Sequence, residues 1–389
     1  MKYFICSLIL SLSISFAKAQ NTTIWKDSDQ KPIDNTALLI EEPRYLTIDI
    51  QALQIAASDA PMEFTTAAKT SSTVVNLPLP NGSNQFFQLV ESPVMHPNLA
   101  AKFPELKSYR GFGINGKKGL LYLSVTPFGI VASINNEDGL SIIDSPEDGS
   151  GIHQTYYFNQ MDHQAYSQLS PPMACGFDPS SIEEDIQPDF SNSSIMAPQA
   201  DVAELRVYEL ALACTGEYGT AKGGTEAAVM ASFVQALTLL NGVLQPEQSM
   251  KFEMIESNDL LINLDPNTDF FQNSNVGGQL LQQNQNYLNQ VIGNNNFDIG
   301  HVFTMACTDV GGVVSGTACN APNKGRGVTC HYANMTNIVY NVMAHEIDHQ
   351  FSAGHTWGNC PGIEGQLASG SAYEPGSGST IMSYLGSCG

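Results

Sequence analysis

Residues 336–355 read TNIVYNVMAHEIDHQFSAGH and hold three of the chain's eight histidines. Ile338, Val339, Val342 and Met343 form an apolar stripe, which predicts a helix from near Thr336 to about Phe351. His345 and His349 are four residues apart, so both leave one helix face, a turn from each other and within reach of one metal ion. Glu346 lies one step round the helix, beside such an ion but out of line with the two imidazoles. This is the HExxH arrangement, in which the glutamate serves as general base. A third ligand has to come from beyond the helix. His355, six residues past His349, reaches the site if the helix ends near Ser352 and the chain bends back. Three neutral imidazoles with an open fourth position describe a catalytic zinc site, whereas structural sites are closed by four protein ligands. Zinc held this way polarises a carbonyl and lowers the pKa of water towards about 7.

The start of the chain sets the compartment. Lys2, the apolar run Tyr3–Phe16 and the small residues Ala17 and Ala19 read as a signal peptide, residues 1–19, cut before Gln20. That run is too short to span a bilayer, and no later segment is expected to span one. The mature chain is therefore expected to be soluble and secreted, to the extracellular space, the periplasm or the cell surface. About 370 residues remain after the cut, enough for two domains. The formal charge of -22 argues against nucleic acid or an anionic membrane as partner. Without Cys6, seven cysteines enter an oxidising compartment, so at least one thiol lacks a partner within the chain.

Residues 20–175 read as a β-rich domain. GLLYLSVTPFGIVASINNEDGLSIID (119–144) is three short β-prone runs separated by hairpin signals. His96, His153 and His163 are scattered and read as ordinary. Residues 176–202 are rich in Pro, Ser and acid and read as a linker. No Lys or Arg occurs between Gly119 and Leu205. From 203 to 389, strand candidates (LRVYELALAC, KFEMIE, DIGHVFTMAC, GRGVTCHY) alternate with two helices before the histidine helix, the first capped by Thr225. That order predicts an α/β domain with a largely parallel sheet. The acidic loops, including NLDPNTD, make calcium a further candidate cofactor.

HEIDHQFSAGH resembles the long zinc motif of the metzincin peptidases, HExxHxxGxxH, and STIMSYLG supplies the methionine that those proteins keep in a turn beneath the metal. The segment GGVVSGTACNAPNKGRGVTCHY resembles secreted bacterial members of the reprolysin-like, ADAM-related group. The resemblance covers roughly residues 203–388. It implies a metzincin fold with a twisted, mostly parallel sheet, zinc on His345, His349 and His355, Glu346 as base and Met382 as the floor. Tyr384 stands where astacin- and serralysin-like members keep a tyrosine that assists the transition state. Several positions depart from the pattern. Ser352 replaces the glycine of the bend, with Gly354 available to relieve strain. Thr356 stands where reprolysins have Asp. Asp348 fills a position often held by a small residue and reads as a solvated charge or as a group orienting a ligand histidine. The sequence ends seven residues after Met382, ahead of the C-terminal helix of metzincins, which implies a fragment.

PPMACGFDP places Cys175 just before the linker, and it resembles in outline the inhibitory "cysteine switch" of reprolysin and matrixin propeptides. A thiolate is a strong zinc ligand and would displace the reactive water. Setting Cys175 aside leaves six cysteines, enough for three disulfides; the opposite assignment bridges Cys175 and leaves Cys214 as the free thiol. Together these residues predict a secreted zinc metalloendopeptidase made as a zymogen, acting on proteins or peptides and restrained by its own propeptide. The rivals are a thermolysin-like peptidase, whose third ligand is a glutamate, and an inactive zinc-binding protein.

Overall fold

The computed structural model describes residues 24–32, 39–145, 149–162, 175–176, 204–305, 307–331 and 334–384. The signal peptide, His163, the linker beyond Gly176 and Cys388 lie outside the described residues.

The first sheet has nine strands: β1 (Trp25–Asp27), β2 (Arg44–Ile48), β3 (Val74–Pro78), β4 (Asn84–Glu91), β5 (Lys107–Gly113), β6 (Gly119–Thr126), β7 (Gly129–Asn136), β8 (Gly139–Asp144) and β9 (Ile152–Tyr157), in the order β1-β2-β9-β8-β7-β6-β5-β4-β3. The three runs read from 119–144 are β6, β7 and β8, paired antiparallel in sequence order. Alternation along the strands sends side chains to two faces. Leu121, Leu123, Ile130, Ala132 and Ile143 enter one core with Leu53 and Ala57 of the short helix Ile50–Ala57. Val131, Ile142 and Tyr156 face the other way, into a second core.

That second core is built around the helix Glu226–Gln248, where Thr225 accepts from the amide of Ala228 at 3.3 Å as the expected cap. Contrary to the sequence expectation, this helix is long and apolar enough to cross a bilayer. Instead it is mostly buried, because one side meets the nine-stranded sheet and the other meets the second sheet.

The second sheet runs β11-β10-β12-β14-β13, with β10 (Arg206–Cys214), β11 (Met250–Met254), β12 (Ile299–Met305), β13 (Gly312–Val314) and β14 (Gly327–His331). β10 pairs parallel with β11 and β12, and β12 pairs parallel with β14. The edge strand β13 is antiparallel to β14. Three of the four pairings in this sheet are parallel, and its edge strand makes it mixed; over the two sheets together antiparallel pairing prevails. The physical reason is connectivity. A short strand that returns directly to its neighbour pairs antiparallel, and only crossover connections enforce parallel pairing. β13 had no recognisable pattern in the sequence.

The histidine helix starts at Met335, with Asn334 capping it through the amide of Asn337 at 2.8 Å. It is not a uniform α-helix. Met335–Ile338 is α-helical, Val339–Met343 forms a π turn, and Ala344–Gln350 is α-helical again. The π turn inserts one residue into the repeat, just before the first histidine. After Gln350 the chain bends at Ser352, which adopts φ +67°. Ser352 thus takes the left-handed conformation itself, and Gly354, expected to relieve it, is not left-handed.

Candidate metal centre and active site

The imidazoles of His345, His349 and His355 and the thiol of Cys175 converge, all four residues buried, with their ligand atoms within 4.8 Å of one another. Each ring is oriented by a backbone carbonyl. Nδ1 of His345 donates to the carbonyl of Ile381, that of His349 to Ala353 and that of His355 to Gln366, each at 2.7 Å. A carbonyl can only accept, so all three protons sit on Nδ1 and all three Nε2 lone pairs face inward. Nε2 of His345 is buried and has no hydrogen-bond partner. Such an orphaned acceptor costs free energy unless something binds it.

Burial keeps the rings neutral. It pushes His345 down to about 3, with His355 adding to the effect, and it lowers His349 and His355 as well. Three neutral nitrogens and one sulfur are a donor set suited to a borderline-soft divalent ion. Among the described residues this is the one group of its kind. In the NLDPNTD loop, Asp265 and Asp269 accept from the backbone amides of Asn267 and Gly216.

Glu346 is buried next to the cluster, and burial raises its carboxyl to about 8, opposed by a hydrogen bond with Cys175. Its position against β13 depends on Gly312, where a β-carbon would lie 2.6 Å from the Oε1 of Glu346. The amide of Gly176 donates to the carbonyl of Gly312 at 3.0 Å, so the chain at Cys175 lies alongside that edge strand. A cavity of about 370 Å³ opens beside His345 and Glu346, walled by Tyr340, Val342, Ile381 and, from the nine-stranded sheet's side, Phe158.

Residues 204–388 match the family model described as metallo-peptidase family M12B, reprolysin-like. That part of the chain is similar to the reprolysin-like metallopeptidases. Among solved structures, metalloproteinase-II from Bacteroides fragilis overlaps at 11% identity, covering 78% of this chain and 85% of that chain, with a TM-score of 0.40. No curated protein matches.

In this reprolysin-like domain, Met382 is buried and its carbonyl accepts from the amide of Thr356 at 3.0 Å, tying the turn to the residue after His355. Tyr384 is also buried. Its hydroxyl lies 3.2 Å from Nε2 of His355 and 2.5 Å from Oε1 of Gln366, with its ring stacked on His345. Asp348 is neither a solvated charge nor a partner of a ligand histidine. It is buried, accepts from Nε2 of Gln248 at 3.0 Å, and is raised to about 6 by burial.

The cysteines also depart from expectation. Cys307 and Cys330 form a disulfide and Cys360 is bonded in one, but Cys214 and Cys319 carry free thiols. Three disulfides therefore do not form, although Cys175 is in none, as the switch assignment requires. Parity assumes that every thiol finds a partner, whereas pairing needs Cα atoms within about 7 Å.

Two site residues left no trace in the sequence. Gln366 orients His355 through its carbonyl, donates through Nε2 to the carbonyl of Cys175 and accepts from Tyr384. Glu374 accepts from the hydroxyls of Thr356 and Thr380 and from the amides of Ser379 and Thr380. Burial opposes its ionisation, yet these four donors together hold it at about 2. Thr356, at the position where an acid was expected from the resemblance, thus donates to an acid eighteen residues later, on the loop that leads to Met382.

Proposed function

We propose that the chain is a secreted zinc metalloendopeptidase of the metzincin type, made as a zymogen. The observation that carries this is the convergence of three inward Nε2 atoms with Glu346 at the mouth of a cavity. His345, His349 and His355 would hold zinc. Bound there, zinc supplies Lewis-acid polarisation of a peptide carbonyl and makes water a nucleophile near neutral pH. A third histidine in the cluster argues against the thermolysin-like reading, whose third ligand is a carboxylate.

The chain's own residues do the rest. Glu346 takes the proton of the attacking water on its carboxylate and returns it to the leaving amine nitrogen. A neighbouring divalent charge draws its pKa down from the raised value, so the base is ionised at neutral pH. Tyr384 offers a phenolic proton to the oxyanion at the reacting carbonyl. The cavity beyond Glu346 receives a substrate side chain, and the burial of the cluster excludes bulk water.

Cys175 is the restraint. With its sulfur among the ligand atoms and its thiol bonded to Glu346, both the nucleophile's position and the base are occupied. Cleavage in the acidic linker releases this strand, and the missing Lys and Arg point to self-cleavage or a protease with apolar preference. Residues 1–19 direct export and are removed in the course of it.

A second reading draws on the same contact, because a Cys-His₃ set also fits a closed structural site without peptidase activity. Metal analysis with a chelator-controlled peptide assay on Cys175→Ala and Cys175→Ala/Glu346→Gln separates the two. The expected result is stoichiometric zinc in both and cleavage only in the first, lower in the second by about 10²–10⁴-fold. Equal rates, or no cleavage in either, sink the peptidase reading.

A further inference from the structure

We infer that the nine-stranded sheet stays seated on the reprolysin-like domain after the linker is cut, as a lasting part of the working enzyme and not a discarded pro-segment. This rests on reading the linker as the activation site.

The contact between the two parts is a shared core. Val131, Ile142 and Tyr156 of the sheet lie in one apolar cluster with Val229, Leu237 and Leu240 of the helix Glu226–Gln248. Interfaces between separable domains are usually more polar and wetter than this. The fit is close. A β-carbon on Gly242 of the helix would come 2.7 Å from Oγ of Ser133 and 3.4 Å from the ring of Tyr122. The hydroxyl of Tyr122 donates to Gln245 at 3.1 Å.

Two further contacts act at the edge of the second sheet. The amide of Met254 on β11 donates to the carbonyl of Val94 at 2.8 Å, and the amide of His96 donates back to Met254 at 2.9 Å. Departure of the nine-stranded part would bare this edge strand, which is a site for unwanted pairing. On the same strand Lys251, 2% exposed, is bonded to Glu63, which is 6% exposed and has Arg110 3.5 Å away.

Detachment would therefore uncover an apolar helix face, an unpaired strand and a buried cation at once. Among the described residues of this part, Cys175 alone joins the ligand cluster, with Gly176 bonded to Gly312 beside it. Cutting the linker frees that segment without disturbing the core. Phe158, just after β9, remains as a wall of the substrate cavity, its ring centroid 4.9 Å from that of Tyr340.

The test places a site for a specific protease within residues 186–195 of the full chain. Complete cutting is confirmed on a denaturing gel, and size-exclusion chromatography is then run without denaturant. The two pieces are expected to co-elute at the size of the uncut protein and to part only in denaturant. Separate elution of either piece, or precipitation of the C-terminal piece alone, overturns the inference. A parallel peptide assay with zinc keeps the two proposals apart. Co-elution without cleavage leaves this inference standing and counts against the peptidase, while cleavage by a lone C-terminal piece does the reverse.

Discussion

Gly312 on β13 and Glu346 on the histidine helix are packed so closely that a β-carbon at position 312 would lie 2.5 Å from Cγ of the glutamate. No side chain fits there without moving the carboxylate. Gly312→Ala should keep its metal, since none of the three histidines is touched, and lose kcat/KM by about 10²-fold through a misplaced base. Equal activity of the variant and the parent, measured with metal content on the same sample, would show that Glu346 is not where the chemistry needs it.

Ser352 offers the opposite case. It holds φ +67° with an exposed side chain at the bend between His349 and His355. Glycine reaches that region without the penalty a β-carbon incurs, though it adds freedom to the unfolded chain. Ser352→Gly should be neutral or stabilising by up to about 1 kcal/mol, with zinc affinity unchanged. A clear drop in denaturation midpoint would mean that the serine makes a contact of its own.

Asp348 makes stability depend on pH. Burial raises its folded pKa from 3.8 to about 6, so the fold disfavours the ionised form. The penalty is absent below the unfolded value, grows between pH 4 and 6, and is complete above. Asp348→Asn removes it and keeps an acceptor for Gln248. Urea unfolding should therefore show no gain at pH 4 and a gain on the order of 1–3 kcal/mol above pH 6. A gain that is the same at both ends would refute the assignment.

Phe158 bounds the cavity beside Glu346 from the sheet's side. Phe158→Ala lengthens that cavity, so the enzyme should shift towards bulkier side chains in peptides that differ at one position. The ratio of kcat/KM for an aromatic over a medium aliphatic residue should rise about 10-fold. An unchanged ratio with retained activity would place the substrate side chain elsewhere.

Local chemistry was legible and long-range packing was not. HExxH and the third histidine could be read because their spacing alone brings them together on a helix and its bend. The hairpins of 119–144 carry their own turn signals. By contrast, the π turn at Val339–Met343 has no breaker residue to announce it. β13 is three residues long, and Gly312 has an ordinary φ, so only the approach of Glu346 explains it. Asp348 looked like a surface charge because the helix that buries it begins over a hundred residues earlier. Gln366 ends a single 3-10 turn, Glu364–Gln366, and Glu374 acts from a loop, and neither is long enough for periodicity to announce it.

The three carbonyls that hold the imidazoles belong to Ala353, Gln366 and Ile381, and in each case the main chain alone makes the contact with the ring. Every amino acid brings a carbonyl. Substitution at most places between 356 and 381 would leave these anchors intact provided the path of the loop is kept. That stretch is therefore free to drift, and it can be rebuilt to present new surfaces to substrates while the ligand rings stay aimed at one point. Thr356, Cys360, Gln366, Glu374 and Thr380 would be among the positions that resist, since there the side chains themselves fix the path.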